Sequence, residues 1–283
     1  MDIKFFGQYL LEKNIITKVQ LLEAITLQTN TNISLPILAV KLGYIDKSAH
    51  DKIQQYQIRN NLSFIEAAKQ LQLISSEKLE HLIARQVSNN ILLGEALVRK
   101  NILSQEQVDE HFRRFRTEQS ALELEILSSI SSHHYGDIIG ASLQSSVNLF
   151  RYAMDVQPRI GAFYTHTSSS SDQYPWVAFQ SLQGDYNFTF HLYVTEPLIC
   201  QIASSLVQRR VDDINELSLD AMKEFVNTIV GYICTTLSIK NIKEEPTLPE
   251  IERTEKMIKT NEMVKLVLRF PEEVVEIGII FHE

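Results

Sequence analysis

Cysteine is nearly missing from this chain, which has two, Cys200 and Cys234. Both stand in apolar company, PLICQIA and GYICTTL, which fits reduced, buried thiols and excludes the disulfide framework of a small secreted protein. Long hydrophobic runs are missing too. No stretch approaches the ~18 consecutive apolar residues of a membrane-spanning helix. The opening MDIKFFGQYLLEK has neither a basic segment followed by a long apolar one nor a cleavage-like site. Membrane insertion and secretion are therefore not expected, and the expected compartment is the cytoplasm. The chain also lacks a P-loop, a Gly-rich dinucleotide fingerprint and a nucleophile elbow. Its one histidine pair, in His133-His134-Tyr135, has no cysteine or carboxylate beside it at ligand spacing, so no metal site is expected.

Surplus positive charge is another absence. Residues 1 to 118 hold 15 Lys and Arg against 13 Asp and Glu, and residues 119 to 283 hold 12 against 22, giving +2 and −10 and the net −8 of the whole. Only the second half is acidic. Nucleic-acid phosphates reward clustered Lys and Arg, so nucleic acid is not the expected partner.

What the chain does have, at 283 residues and 44% hydrophobic, is enough material for about two domains. Its first half repeats itself every 29 residues, four times, from Phe5, Ser34, Ser63 and Leu92. The units are FFGQYLLEKNIITKVQLLEAITLQ, SLPILAVKLGYIDKSAHDKIQQYQ, SFIEAAKQLQLISSEKLEHLIARQ and LLGEALVRKNILSQEQVDEHFRRF. Asn14, Gly43, Gln72 and Asn101 share the position where a short helix should end in a left-handed residue. Two apolar residues follow each time, then Thr17, Asp46, Ser75 or Ser104, all good N-caps for a second, longer helix. Gln20 and Gln107 stand where a capping box wants them. Apolar positions such as Phe6, Leu35, Phe64 and Leu93 should bury against neighbouring units, since one unit alone leaves its apolar face uncovered. His50 interrupts the second unit, at an apolar position, and reads as a surface or boundary residue.

This arrangement resembles the N-terminal domain of type II secretion and type IV pilus assembly ATPases, the MshEN-like repeats, some of which bind cyclic di-GMP. Gln28, Gln57 and Gln86 match the closing Gln of that pattern, and Gly7 and Gly94 its early Gly. Pro36 and Ile65 depart from it. The Arg of the pattern is replaced by Phe5, Ser34, Ser63 and Leu92, so no guanidinium is available for a guanine edge or a phosphate. A helical docking domain without cyclic di-GMP is the expectation.

In the second half, residues 120–132 read as a connecting helix and Asp137 to Tyr152 as another helix. RIGAFYTH, YPWVAFQSL and YNFTFHLYV read as strands, with Gln183-Gly184-Asp185 as a hairpin turn. SSSSDQ at 168–173 reads as a loop. A helix should start after Thr195 and run to about Arg209, followed by the helix of DAMKEFVNTIVG, the proline-marked segment EEPTLPEIER, and two β-rich runs, MVKLVLRF and VVEIGIIF, split by Pro271-Glu272-Glu273. The expected order αβββααβββ implies an α+β domain in which helices pack on an antiparallel sheet. The expected boundaries are 1–120 for the repeats, 121–136 for the connection and 137–283 for the α+β domain.

At 100° per residue, Met222, Phe225, Val226, Ile229 and Ile233 share one face of the DAMKEFVNTIVG helix, and Asp220, Glu224, Asn227 and Gly231 share the opposite one. Asn and Gly are poor residues for a merely wet helix face, costing roughly 0.7 and 1 kcal/mol relative to Ala. The run D-x3-E-x2-N-x3-G and the order of elements resemble the CheX and CheC family of chemotaxis phosphatases, which dephosphorylate a CheY-like receiver domain; Pro249 falls one residue before the proline of that family's pattern. The resemblance implies hydrolysis of the receiver's aspartyl phosphate, with Glu224 and Asn227 catalytic and Asp220 and Gly231 meeting the partner. It implies no cofactor on this chain, Mg²⁺ being held by the receiver. The other reading is a non-catalytic adaptor, or a second-messenger-linked scaffold in chemotaxis, type IV pilus or secretion signalling. A homodimer through the C-terminal domain is expected on the ground that a C-terminal β-run lies at a sheet edge. His166, His191 and His282 read as ordinary sheet residues.

Overall fold

The computed structural model describes residues 4–60, 62–154, 157–167, 173–256, 263–270 and 273–282. The chain divides into two compact units, residues 4–122 and 123–283. The first is all helix: α1 (Phe6–Glu12), α2 (Lys18–Thr31), α3 (Leu35–Lys41), α4 (Lys47–Asn60), α5 (Phe64–Gln70), α6 (Ser76–Asn89), α7 (Leu93–Arg99) and the start of α8 (Gln105–Ser132). The division falls inside α8, which joins the second helix of the last repeat and the connecting helix into one element of 28 residues.

Every repeat closes its short helix in the same way. Asn14, Gly43, Gln72 and Asn101 have φ of 56°, 68°, 54° and 55°, the left-handed region that Gly and Asn tolerate best. The next residue's N–H reaches back to a carbonyl five residues earlier, Ile15 to Leu10, Tyr44 to Ala39, Leu73 to Ala68 and Ile102 to Leu97, at 2.9 to 3.1 Å. Those bonds satisfy carbonyls that the helix end would leave bare. Ile16, Ile45, Ile74 and Leu103 are buried immediately after the turn. The long helices then start on side-chain caps: Thr17 Oγ1 accepts from Gln20 N–H, Asp46 Oδ1 from Ala49, Ser75 Oγ from Lys78 and Ser104 Oγ from Gln107. Gln20 and Gln107 reach back to the cap N–H at 2.8 and 2.9 Å, completing capping boxes.

Burial between repeats follows a different pairing from sequence order. The first repeat packs with the fourth, around Phe6, Leu10, Ala24, Leu97 and Phe115, and the second with the third, around Leu38, Ile53, Phe64, Ala67 and Leu82. Leu35 and Leu93 are only partly buried at the rims of these cores. Gly7 and Gly94 occur only in the first pair, and there a Cβ on Gly94 would lie 2.6 Å from Val108 Cγ1, so the glycine sets how closely the helices approach. The closing glutamines hold the chain between repeats. Gln28 Nε2 donates to Ile91 C=O at 3.1 Å and Gln86 Nε2 to Ile33 C=O at 3.0 Å, a reciprocal clasp that Asn32 and Asn90 complete. Their amides thus satisfy buried backbone. His50 is half-buried beside Asp51.

The second unit holds α9 (Gly136–Met154), β1 (Arg159–Thr167), β2 (Trp176–Gly184), β3 (Asn187–Val194), α10 (Glu196–Val207), α11 (Glu216–Ile239), β4 (Glu244–Pro246), β5 (Glu250–Arg253), β6 (Met263–Arg269) and β7 (Val274–His282). All strand pairs are antiparallel, in the order β1-β6-β7-β3-β2-β4, with β5 also on β2. This is the α+β architecture expected. Helices α9, α10 and α11 pack on one another, and α11 also lies against β2, β4 and β5. Phe150 of α9 meets Phe225 of α11 edge to face at 5.0 Å and Phe270 at 5.1 Å, at the centre of this core.

Three expectations need correction. EEPTLPEIER is a pair of short strands on the free edge of β2, where prolines are tolerated because the outer side of an edge strand has no ladder to supply. Neither C-terminal β-run lies at an edge: β6 runs between β1 and β7, and β7 between β6 and β3, so the backbone of each is paired on both sides. The two cysteines are unpaired as expected but half-buried, and burial pushes both thiols up. Most of the loop at 168–173, and Pro271-Glu272, lie outside the described residues. Among the described residues no helix is long and apolar enough to cross a membrane.

Candidate functional site

Helix α11 is fixed at its start by Asn215, whose Oδ1 accepts from Ser218 N–H at 3.1 Å while Ser218 Oγ accepts from Asn215 N–H at 2.8 Å. Its apolar face carries Ala221, Met222, Phe225, Val226, Ile229, Val230, Ile233 and Leu237, all buried. Burying a side chain such as Phe225 contributes on the order of 1.5–3 kcal/mol, so this face locks the helix's rotation. Asp220, Glu224, Asn227 and Gly231 consequently all face outward, and all four are exposed.

The four differ in what they touch. Asp220 is engaged, in a surface ion pair with Lys223 Nζ at 2.5 Å. Such pairs contribute little stability, and this one sets a positive charge beside the Asp220 carboxylate. The Glu224 carboxylate has no hydrogen-bond or ion-pair partner among the described residues; only its backbone carbonyl is used, by Thr228 Oγ1 at 2.8 Å. Gly231 has open space around it, with nothing within 4 Å of a Cβ placed there. Nothing among the described residues requires a glycine at that point of the helix.

Asn227 is tethered. Its Oδ1 accepts from Gln180 Nε2 at 3.1 Å, and the same Nε2 donates to the Thr247 carbonyl at 2.7 Å. Gln180 comes from the middle of β2 and is 1% exposed. Thr247 lies between β4 and β5, and its own N–H is bonded to Ser181 C=O at 2.9 Å. The proline-marked segment is thereby brought beside Asn227, with Leu248 in it 83% exposed. Gln180 did not stand out as a site residue in the sequence. Its signal was there in AFQSL: alternation puts residues 178, 180 and 182 on one face, and a glutamine between Ala178 and Leu182 on a helix-covered face breaks the pattern.

Chemically, the face offers a free carboxylate, a neutral amide one turn away and a bare stretch of helix, with the paired Lys223 as the cation beside it. Among the described residues no group of three or more His, Cys, Asp or Glu is arranged to hold a metal ion. The other histidines are elsewhere. His191 is buried in β3, and burial lowers its pKa from the usual 6.5 to about 4. His282 in β7 bonds Thr189 Oγ1 at 2.8 Å. In the turn between α8 and α9, His133 and His134 sit beside Tyr135, which stacks on Phe281 at 3.7 Å.

Comparison with known proteins bears on the second unit. A chemotaxis protein CheX from Desulfovibrio desulfuricans is similar over 51% of this chain and 99% of its own, at 14% identity and a TM-score of 0.45. A CheC-like superfamily protein from Shewanella sp. PV-4 is similar over 52% and 98%, at 16% identity and a TM-score of 0.46. CheX from Borrelia burgdorferi, solved as a CheX-CheY-BeF3-Mg complex, gives 51% and 97%, 19% identity and a TM-score of 0.42. No curated protein sequence matches the chain. The repeats lie outside the region that a family model matches. That region, residues 176–270, holds Gln180, Asp220, Glu224, Asn227 and Gly231; it matches the family described as Chemotaxis phosphatase CheX and is a CheX domain.

Proposed function

We propose that this chain hydrolyses the aspartyl phosphate of a partner CheY-like receiver domain, with the Glu224–Asn227 face of α11 as the working surface. The observation that carries this reading is that pair, one turn apart and exposed, inside the CheX domain. In such a reaction the oxygen of water attacks phosphorus in line, the bond from phosphorus to the aspartyl oxygen breaks, and carboxylate and inorganic phosphate are the products. Positioning and charge stabilisation limit it, and little covalent help is required. Asn227 serves as a neutral amide whose carbonyl accepts from the water and whose NH2 donates, adding no charge to repel the phosphoryl group. Glu224 takes the receiver's lysine beside the phosphorylated residue. Mg²⁺ in this reading belongs to the receiver's own acids.

Asp220 and Gly231 flank the pair as partner contacts, the glycine letting a receiver approach the helix backbone. The repeats act as a docking domain that selects the partner, and the compartment is the cytoplasm. A homodimer now rests on β1, which stands at one end of the described sheet order. Light scattering of the full chain tests it, a monomer at tens of micromolar protein ruling it out. The phosphatase reading is tested by mixing the protein with a phosphorylated cognate receiver and following phosphate release. Acceleration over the receiver's own decay is expected. Binding without acceleration leaves the adaptor reading in its place.

A further inference from the structure

Gln180 is buried at the centre of β2, opposite Phe190 of β3, yet its Oε1 has no partner among the described residues. A buried amide oxygen left unpaired is destabilising, and an apolar residue of similar size would bury there without that cost. The oxygen of this side chain therefore does not account for a glutamine at this point. Its donor does. The Thr247 carbonyl, 2.7 Å from Nε2, is an acceptor only and forces the NH2 end of Gln180 to face it. The second hydrogen of that NH2 meets Asn227 at 3.1 Å, which forces the oxygen of Asn227 inward and its own NH2 outward. A backbone carbonyl thus dictates, through one buried side chain, which way an exposed amide points.

Building on the phosphatase reading above, we propose that Gln180 is the positioning residue for Asn227, fixing its amide with one Oδ1 lone pair on Gln180, the other free for the attacking water, and Nδ2 turned toward the phosphoryl oxygens. Without this donor the Asn227 amide is free to turn over, and the orientation must be regained in every encounter. The effect belongs to the chemical step and leaves receiver docking unchanged, because Gln180 is covered and reaches no partner itself. Glu224, exposed one turn away, is untouched by it.

The test uses the full-length protein and two donor-less variants of similar size, Gln180→Leu and Gln180→Met, so that one remains if the other fails to fold. For phosphate release from a phosphorylated receiver, kcat should fall about tenfold, as the loss of one hydrogen bond in the transition state implies, with KM unchanged. In ¹⁵N–¹H spectra of the protein without receiver, the Asn227 side-chain NH2 pair, assigned by its loss in Asn227→Ala, should move toward the position of a free amide while the backbone signals of α11 stay in place. A folded variant with wild-type kcat, or an Asn227 NH2 pair that does not move, overturns the proposal. If the wild-type protein itself fails to accelerate phosphate release, the phosphatase reading is what has failed. The NH2 signals still decide whether Gln180 orients Asn227.

Discussion

The helical repeats and the CheX-containing unit are held together by different kinds of information. In the repeats, each short helix ends on a left-handed residue and each long one begins on a side-chain cap, with partners within six residues along the chain. In the second unit the decisive contacts are distant: Gln180 reaches Asn227 across 47 positions and Thr247 across 67. Local rules can build the same repeat four times over with changed sequence, as Gln72 shows by taking the place of Asn or Gly. The second depends on single residues at single places. The proposed site lies where the structure is least redundant.

Acid should separate the two units most widely. His191 has a folded pKa pushed down to about 4, chiefly by burial, and His282 beside it lowers it as well. Unfolded chain takes up a proton below about 6.5 that the folded chain refuses until about 4, so stability is lost as pH falls through that window. At about 1.4 kcal/mol per pH unit the second unit should lose on the order of 3 kcal/mol. Thermal melts at pH 7 and pH 4.5 should show its transition falling much further than that of the repeats, and His191→Phe should flatten the difference.

Two helical glycines sharpen the comparison with opposite signs. Gly94→Ala places a Cβ 2.6 Å from Val108 Cγ1, a stiff β-branched side chain, and should destabilise the repeats by about 1–3 kcal/mol in urea unfolding. Gly231→Ala meets nothing and should stabilise α11 by up to about 1 kcal/mol, while weakening the engagement of a receiver. If both substitutions destabilise, the open space at Gly231 has another meaning. The smallest effect expected is none at all. Phe5, Ser34, Ser63 and Leu92 occupy the N-cap positions of the short helices and carry no cation, so calorimetry with cyclic di-GMP should register no binding. Micromolar affinity would break the reading of these repeats as a docking domain.

The same contrast explains how far the sequence alone could be read. The 29-residue period, the left-handed turns and the caps were legible because each is a local rule applied four times. The outward stripe of α11 was legible because the apolar residues opposite it set the helix's rotation. The pairing of first repeat with fourth was not, since nothing local distinguishes one apolar helix face from another. The interior places of β6 and β7 were also hidden: a strand buried on both faces and a sticky edge share the same β-rich composition. EEPTLPEIER read only as a proline-marked segment because its prolines mask strands three and four residues long. Gln180 was passed over because its partner lies on another element.

The central claim is that the Asn227 amide, held outward on α11, drives phosphate loss from a receiver. The most direct test is single-turnover phosphate release from a phosphorylated cognate receiver at saturating concentrations of wild-type protein and of Asn227→Ala, with circular dichroism confirming that both are folded. The account predicts a rate well above the receiver's own decay for the wild type and a loss of about a hundredfold in that acceleration for the variant, the scale of removing a preorganised polar group at a reacting centre. A folded Asn227→Ala protein releasing phosphate as fast as the wild type would contradict it.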